Sequence, residues 1–265
     1  MSKEDDRSLR FYNEVLGLDH LHYGMWEEDE ELTLANLKIA QLRYEDFLIE
    51  KLPTETSKVL DVGCGTSAMI KRMLSMEMEV HGLSPDATQK DNFTKNLNAP
   101  FYHCRFEELE SEETFDCLVM SESAQYIPFD RLFENAKRSL KPGGHLMICD
   151  YFVLDDATGV LAKSGHKLSA FMAESEKQGF MLVEKCDVTD SISKTLDLAS
   201  LLANRILKGL DILSERTRNK HPLFTRFVFR LFRKKWKKLE RDSVLLDSEQ
   251  FKAKKRYLFL LFKVS

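Results

Sequence analysis

Apolar residues recur along this chain with two different periods. Between Asp29 and Leu52 they return at helical spacing, and Pro53 ends the run, which predicts an N-terminal helix. Short apolar segments then alternate with helix-like polar segments, and this alternation predicts a doubly wound α/β fold with a parallel sheet covered on both faces. The predicted strands are Lys58 to Val62, Glu79 to Leu83, Pro100 to His103, Phe115 to Met120 and His145 to Asp150, and the predicted helices are Ser67 to Met76, Pro85 to Asn96 and Phe129 to Leu140.

The C-terminal half continues this pattern but interrupts it with a long insertion. Lys141 to Gly144 (KPGG) predicts a turn between a helix and a strand. A helix from His166 to Gly179, a strand from Met181 to Val188 and a last strand from Arg256 to Val264 follow. The chain before the last strand, residues 191–255, is too long for a simple connection and predicts a helical insertion. Its two helical candidates are Leu196 to Leu213 and Pro222 to Arg241.

Composition limits the classes of protein that the chain can represent. Acidic and basic residues nearly balance at a net charge of -4, so no global electrostatic argument favours nucleic acid. The five cysteines form no C-x-x-C pair, which disfavours a disulfide framework and a zinc site. Met1 to Arg10 lacks the apolar core of a signal peptide, and no apolar run reaches the roughly 18 residues of a membrane-spanning helix. These features predict a cytoplasmic protein.

The segment Asp61 to Ser67 (DVGCGTS) carries the main signal for chemistry. It follows a predicted strand and opens a predicted helix, where glycines let the backbone approach a ligand closely. A dinucleotide fingerprint would place a third glycine where Ser67 stands, and a phosphate-binding loop would carry Gly-Lys-Ser/Thr, which is absent. Both of these nucleotide-binding classes are disfavoured, and a purely structural turn is the simple alternative.

Three ordered motifs resemble the class I S-adenosylmethionine-dependent methyltransferases. They are Val59 to Gly65, Phe115-Asp116 with the apolar strand that follows, and Leu140 to Gly144. Leu21 to Trp26 and Met120 to Pro128 are similar to the branch that includes tocopherol, sarcosine/dimethylglycine and small-molecule O-methyltransferases. The resemblance implies a Rossmann-like seven-stranded sheet with an antiparallel last strand, S-adenosyl-L-methionine as cofactor, a small-molecule acceptor and no metal.

The same resemblance assigns the methionine end of the cofactor. Asp61 is expected to orient the methionine ammonium, because a zwitterionic ligand needs a carboxylate for its positive group. Gly63 and Gly65 are expected to leave open backbone beside the methionine and ribose portions. The structural alternative for Asp61 is a buried acid that is bonded only to backbone amides.

The nucleoside end departs from the family pattern. No acid ends the second predicted strand, so Ser84 or Asp86 must hold the ribose. Arg105 stands where an acid commonly recognises adenine, which leaves the backbone, Glu107 or a neighbouring group for that contact. The expected cofactor-binding residues are Asp61, Gly63, Cys64, Gly65, Ser84, Asp86, Phe106, Glu107, Ser121 and Tyr23.

Acceptor chemistry is expected after the fourth predicted strand, at the sheet edge where open α/β folds bind ligands. Tyr126 is expected to orient the acceptor, while Glu122 or His22 removes a proton if the acceptor must lose one. Each residue has a structural alternative. Glu122 could cap the following helix, Tyr126 could be half-buried packing, and His22 could be an ordinary surface residue.

The segments outside the central fold are expected to serve the acceptor. His20, His22, Tyr23 and Trp26 predict a lid over the cofactor, or else a hydrophobic staple that fixes the N-terminal helix. The basic amphipathic segment 222–241 suits peripheral membrane contact. Packing on the sheet or over the acceptor is favoured, because related methyltransferases place their substrate lid here. Its bases are Arg226, Arg230, Arg233, Lys234, Lys235, Lys237, Lys238 and Arg241.

The sequence therefore predicts a methyltransferase that acts on oxygen, nitrogen or carbon of a small, partly apolar metabolite. Its predicted units are an N-terminal helical lid (1–55), a cofactor-binding core (56–190), a helical insertion (191–255) and the final core strand (256–265). Alternatives are a non-catalytic binding protein of the same fold and a nicotinamide-dependent oxidoreductase. A nucleic-acid methyltransferase is disfavoured, since the Asn/Asp-Pro-Pro-aromatic motif that grips a flipped base is absent.

Overall fold

A computed structural model describes residues 17–18, 20, 22–220 and 243–264. Eight strands and seven α-helices lie along these ranges; most follow the predicted order, but the short strand β6 and the helix α7 were not predicted. The strands are β1 (Lys58–Val62), β2 (Glu79–Leu83), β3 (Phe101–Tyr102), β4 (Phe115–Ser121), β5 (Leu140–Val153), β6 (His166–Lys167), β7 (Phe180–Asp187) and β8 (Lys255–Val264). The helices are α1 (Leu34–Glu50), α2 (Ala68–Ser75), α3 (Ala87–Asn96), α4 (Phe129–Ser139), α5 (Leu168–Lys177), α6 (Thr189–Lys220) and α7 (Ser248–Lys254).

All eight strands form one mixed sheet. Seven of them follow the order β3-β2-β1-β4-β5-β8-β7, and β6 pairs with β5 beside this path. β1 runs parallel to β2 and β4, whereas β8 runs antiparallel to both β5 and β7. The Rossmann-like fold and the antiparallel last strand are therefore confirmed, and the short strand β6 adds one strand to the expected seven.

Two predicted boundaries differ from the structure because strand pairing includes residues that the pattern assigns to a helix or a turn. His166 and Lys167 pair with Phe152 and Val153, so the helix predicted from His166 starts only at Leu168. β5 begins at Leu140, which pairs with Phe115, and the next pair is Cys117 with His145. The predicted KPGG turn is thus a bulge inside β5 rather than a connection before it.

The bulge is fastened by one carboxylate. Asp116 Oδ1 accepts a hydrogen bond from Lys141 Nζ at 2.6 Å, and Asp116 Oδ2 accepts from the backbone N–H groups of Ser57 and Lys58 at 3.1 and 2.8 Å. These contacts tie β4, the bulge and the start of β1 together, at the sheet edge away from the carboxyl ends of the strands. Asp116 of the second family motif therefore has a structural role.

Alternate residues of the strands face two separate hydrophobic cores, as the period of a strand requires. On one face, Leu118 and Ile148 pack with Phe133 of α4 and Phe171 of α5. On the other face, a second set packs against α1, α2 and α6. This set includes Val59, Val119, Met147 and Phe259 from the strands and Tyr44, Leu48, Ile70, Met73, Ile192 and Leu196 from the helices.

The N-terminal segment lies across α1 and α6. The Thr195 hydroxyl of α6 accepts hydrogen bonds from the Gly24 backbone N–H at 3.0 Å and from Trp26 Nε1 at 2.9 Å. The Met25 N–H donates to the Ala40 carbonyl of α1 at 2.8 Å. Buried apolar residues support the same junction, and they are Leu18, Trp26, Leu37, Ala40 and Leu198.

The insertion begins with a longer helix than its apolar spacing predicts. α6 runs from Thr189 to Lys220, and Ile206, Ile212 and Leu213 are exposed in its second half. The second helical candidate, from Pro222 to Arg241, lies outside the described residues. Within the described ranges, every helix is too short or too polar to cross a bilayer.

Candidate functional site

A cavity of about 850 Å³ opens at the carboxyl ends of β1, β2 and β4. This is the edge at which open α/β sheets bind ligands, because loops diverge there on opposite faces of the sheet. Every predicted site residue except Tyr23 lines it. Those residues are His22, Asp61, Gly63, Cys64, Gly65, Ser84, Asp86, Phe106, Glu107, Ser121, Glu122 and Tyr126.

The glycine turn after β1 is built from left-handed backbone. Gly63 has φ +82°, and a Cβ placed on it would lie 2.5 Å from Ser123 Cβ. Gly65 has φ +51°, and a Cβ there would meet nothing within 4 Å. Ser67, where a dinucleotide fingerprint carries glycine, also has a positive φ of 63°. The two glycines thus serve different ends: Gly63 lets the turn pack against Ser123, while Gly65 leaves space beside the cavity.

Asp61 is a buried acid without a local partner. Its side chain lines the cavity, and the residue is only 3 % exposed. None of the residues that the structure describes donates a hydrogen bond to its carboxylate, so the predicted alternative of a purely structural acid is not supported. Burial, followed by the charge of Glu45, raises the pKa of Asp61 to about 7. A cationic group in the cavity would satisfy this carboxylate and lower its pKa.

Ser84 and Asp86, the residues expected to replace the missing ribose acid, line the cavity together. The Ser84 hydroxyl accepts from the Asp86 N–H at 3.1 Å, and Asp86 Oδ1 accepts from the Gln89 N–H at 2.8 Å. Asp86 is therefore the N-cap of α3, although it also lines the cavity. The Gln89 side chain lines the same wall, and its buried oxygen has no partner in the described part of the chain. Gln89 was not predicted, since a glutamine in the first turn of a helix carries no motif.

Arg105 and Glu107 lie together at the cavity wall. Arg105 Nη1 is 3.7 Å from Glu107 Oε1, and the Arg105 side chain is 65 % exposed. Phe106 between them is buried in the core. The guanidinium therefore partly neutralises Glu107, one of the groups expected to recognise adenine.

Glu122 occupies a strained and buried position just after β4. It has φ +55°, which non-glycine residues rarely adopt. Its Oε1 accepts hydrogen bonds from the Tyr23 N–H and from the Tyr257 hydroxyl, each at 2.8 Å. Burial raises the pKa of Glu122, although His22, Tyr23 and Tyr257 favour its charged form. The alternative that Glu122 caps the following helix is wrong, because its carboxylate contacts the N-terminal segment and β8.

Buried hydroxyls extend this network under the cavity floor. The Tyr44 hydroxyl is 2.9 Å from Ser121 Oγ and 3.1 Å from the Tyr257 hydroxyl. Burial raises the pKa of both tyrosines well above the ordinary value, so their hydroxyls stay protonated and can donate. Tyr126, in contrast, is 77 % exposed at the rim, which excludes the alternative of half-buried packing.

His22 joins the N-terminal segment to the cavity. Its ring stacks on Tyr44 with centroids 4.8 Å apart, its Nδ1 lies 2.7 Å from the Tyr23 carbonyl oxygen and its Nε2 lies 3.4 Å from Glu45 Oε1. Burial lowers the pKa of His22, but the hydrogen bond with Glu45 and the charge of Glu122 outweigh burial and raise it. The alternative of an ordinary surface histidine is therefore wrong.

Cys64 and Tyr23, the two remaining predicted cofactor contacts, lie at different places relative to the cavity. Cys64 is buried in the cavity wall, and burial raises the pKa of its thiol to about 12, so it stays a neutral wall residue. Tyr23 does not line the cavity. Its ring packs edge-on against Tyr257 with centroids 5.8 Å apart, and its backbone N–H binds Glu122. Tyr23 therefore contacts the site through its main chain.

Comparison with known proteins identifies the central part of the chain. Residues 60–148 match the family described as methyltransferase domain. No curated protein sequence matches the chain.

Solved structures with this fold match almost the whole length of the chain. A provisionally assigned sarcosine dimethylglycine methyltransferase from Galdieria sulphuraria is 18% identical, with a TM-score of 0.73, and the match covers 98% of this chain and 99% of that one. The [4+2]-cyclase SpnF is 17% identical, with a TM-score of 0.70 and coverage of 98% and 94%. Geranyl diphosphate C-methyltransferase from Streptomyces coelicolor is 14% identical, with a TM-score of 0.69 and coverage of 100% and 99%. At these identities the likeness is one of fold.

Proposed function

We propose that this protein is an S-adenosylmethionine-dependent methyltransferase, because residues 60–148 match a methyltransferase domain and the chain shares the fold of class I methyltransferases. From that premise we propose that it methylates a small, partly apolar acceptor held beside Glu122. The observation that carries this proposal is the cavity-lining Asp61 carboxylate, which no described residue satisfies. The ammonium of a bound methionine moiety supplies the missing partner.

The residues around the cavity fit the two ends of the cofactor unequally. Asp61 and the open backbone at Gly65 hold the methionine end. The Ser84 hydroxyl, the Gln89 side-chain oxygen and Glu107 supply polar groups for the nucleoside end. When bound, S-adenosylmethionine supplies an electrophilic methyl group.

Glu122 is proposed as the base toward the acceptor. It lines the cavity, and burial raises the pKa of its carboxyl toward the range in which a base works near neutral pH. The Tyr257 hydroxyl and the Tyr23 N–H hold the carboxylate in place through hydrogen bonds at 2.8 Å. An acceptor oxygen or nitrogen that must lose a proton would deliver it to Glu122, whereas Tyr126 at the rim orients the acceptor.

The acceptor is proposed only as a class. Among proteins of this fold, one is described as acting on sarcosine and dimethylglycine and another on geranyl diphosphate, so the fold alone does not select an acceptor. The apolar groups along this cavity, including Leu48, Met69 and Ile127, support a partly apolar molecule.

Two experiments test the proposal. Calorimetric titration should show binding of S-adenosylhomocysteine by the wild-type protein, and the Asp61→Ala variant should lose most of that affinity. Incubation with radiolabelled S-adenosylmethionine and metabolite extracts should then label a lipophilic product. A protein that binds only a nicotinamide dinucleotide would instead be an oxidoreductase.

A second candidate is a protein that binds the cofactor without transferring its methyl group. SpnF, which shares the fold, is described as a [4+2]-cyclase. Arg105 and the missing ribose acid of this chain favour a departure from ordinary use of the cofactor. Binding of S-adenosylmethionine without label transfer to any extract would support this candidate.

A further inference from the structure

Two histidines and one glutamate meet where the N-terminal segment crosses α1. His20 Nδ1 lies 2.9 Å from Glu45 Oε1, and His22 Nε2 lies 3.4 Å from the same oxygen. The three ligand atoms all lie within 4.8 Å of one another. Metal bonds of about 2.0–2.2 Å place neighbouring ligands of a tetrahedral ion roughly 3.3–3.6 Å apart. The 3.4 Å separation matches this geometry, whereas the 2.9 Å separation would have to lengthen by about 0.5 Å when an ion binds.

The His22 ring is oriented as a metal ligand is. Its Nδ1 lies 2.7 Å from the Tyr23 carbonyl oxygen, so Nδ1 carries the hydrogen that is donated to that oxygen. Metal-binding histidines commonly donate their other N–H to a backbone carbonyl in this way, which fixes the tautomer. In the neutral ring that a metal requires, the Nε2 lone pair would face Glu45 Oε1, so a bound cation would replace the proton that this nitrogen shares with Glu45 in the metal-free protein.

Glu45 and His20 complete the set. Arg72 Nη1 lies 3.3 Å from Glu45 Oε2, which holds that oxygen and leaves Oε1 facing the histidines. His20 Nδ1 is buried, and although Glu45 Oε1 is near, the orientation makes no hydrogen bond. A buried imidazole nitrogen without a hydrogen bond costs free energy unless another partner satisfies it.

We propose that His20, His22 and Glu45 bind one divalent transition-metal ion, with Zn²⁺ as the type, at the edge of the cofactor cavity. Two imidazoles and one carboxylate suit such an ion and leave a further coordination position open. His22 and Glu45 line the cavity, so the ion would fasten the N-terminal segment to α1 beside the cofactor. The inference does not depend on the proposed function.

A second cluster among the described residues is a weaker candidate for a metal site. Glu79, His81 and Glu113 also lie close enough together for a metal ion. Lys58 Nζ contacts Glu79 Oε1 at 2.9 Å and Glu113 Oε2 at 2.5 Å, so an ammonium already neutralises both acids. Glu113 therefore serves as a control.

The test uses the full-length protein after removal of metal by a chelator. Titration with Co²⁺, followed by visible absorption, should reach one ion per chain and give the intense bands of a low-symmetry site. Zn²⁺ should displace it. His20→Ala and Glu45→Gln should each lower the Co²⁺ affinity at least tenfold, whereas Glu113→Gln and the exposed His103→Ala should leave it unchanged.

A ligand replacement distinguishes loss of the site from loss of the fold. His20→Cys should retain Co²⁺ binding and add a thiolate charge-transfer band, which only direct coordination produces. Circular dichroism of the metal-free variants should match that of the wild type. Absence of Co²⁺ binding by the wild type, unchanged affinity in His20→Ala and Glu45→Gln, or a His20→Cys spectrum without that band would each overturn the proposal.

Discussion

The Tyr257 hydroxyl donates a hydrogen bond to Glu122 Oε1 at 2.8 Å, across 135 residues of sequence. The bond joins the last strand of the sheet to the end of β4 and holds the carboxylate whose backbone is strained at φ +55°. Strain of this kind persists where surrounding contacts hold it, and it is concentrated at functional sites. The first prediction follows from this pair.

Glu122→Gln should lower kcat by roughly 10²–10⁴-fold for an acceptor that loses a proton, with little change in cofactor affinity. Because the base acts as the carboxylate and burial raises its pKa, wild-type activity should rise with pH through a value above the ordinary range of glutamate. Tyr257→Phe removes a bond that favours the charged form, so it should move this acid limb to higher pH. A limb that stays in place in Tyr257→Phe contradicts the role of the pair.

Asp61→Asn should raise the stability of the ligand-free protein and weaken its binding of the cofactor. The unfolded carboxyl ionises near pH 4, but the folded one keeps its proton to about pH 7. The folded state therefore binds more protons between these values, and its stability falls as the pH rises through that window. Since asparagine cannot ionise, the ligand-free variant should be more stable than wild type above pH 7, by on the order of 1–3 kcal/mol.

The same substitution should weaken S-adenosylhomocysteine binding. Chemical denaturation at pH 5 and pH 8 measures the first effect, and calorimetry measures the second. A variant that gains no stability at pH 8 relative to pH 5 would show that Asp61 is not the uncompensated acid described here.

The two glycines of the turn should fail in different ways when each is changed to alanine. Gly63→Ala combines a left-handed backbone with a Cβ 2.5 Å from Ser123, so it should cost at least about 2 kcal/mol of stability. Gly65→Ala has open space for its Cβ and should cost only about 1 kcal/mol. It should nevertheless lower cofactor affinity by about tenfold. Thermal unfolding measures the loss of stability in each variant, and calorimetry measures the affinity for the cofactor. A larger loss of stability in Gly65→Ala than in Gly63→Ala would contradict these roles.

Gln89→Ala should weaken binding of S-adenosylhomocysteine without changing the fold. Among the described residues the buried Gln89 side-chain oxygen has no partner, and a hydrogen bond to the ribose hydroxyl proposed to lie beside it is worth about 1 kcal/mol. Affinity should therefore fall by roughly fivefold in calorimetry. Asn92→Ala, on the exposed face of the same helix, is the matched control. Equal affinities in the two variants would remove Gln89 from the site.

The segment 222–241 can be tested for membrane contact by its charge. If it docks on anionic lipid, reversal of Lys234, Lys235, Lys237 and Lys238 to glutamate should abolish cosedimentation with vesicles that contain phosphatidylserine, because each base contributes about 1 kcal/mol. Reversal of four exposed lysines elsewhere, namely Lys71, Lys90, Lys95 and Lys185, is the control. Unchanged sedimentation of the first variant would leave the segment as a cover over the acceptor.

Local pattern predicted the inner strands well and the outer ones less well. β1 and β2 have the predicted bounds, because their apolar runs are buried on both faces and end at turn residues. β5 starts five residues earlier than its predicted start at His145, since Leu140 is held by pairing with Phe115. Pairing between segments that are distant in sequence cannot be predicted from a short stretch of residues.

The site residues divide in the same way, into those predictable from local sequence and those defined by contacts between distant segments. Asp61 and Glu122 were found because one lies near the carboxyl end of a strand and the other directly after a strand, and the sequence pattern reveals both positions. Glu45 and Tyr257 were missed, since one lies on a helix face and the other in an aromatic strand, where each resembles ordinary packing. Their contacts with His22 and Glu122 depend on the folded positions of α1 and β8.

Thr195 connects the N-terminal segment, which forms part of the cavity wall, to the insertion helix α6. Its single hydroxyl accepts from both Gly24 and Trp26, and the Ser191 hydroxyl of the same helix donates to the Trp26 carbonyl, so the N-terminal segment is tied to α6. His22, only two residues before Gly24, lines the cavity. Any movement of His22 away from the cavity would therefore strain these hydrogen bonds to α6, so we expect substitutions at Thr195 to change the rate at which the cofactor product dissociates.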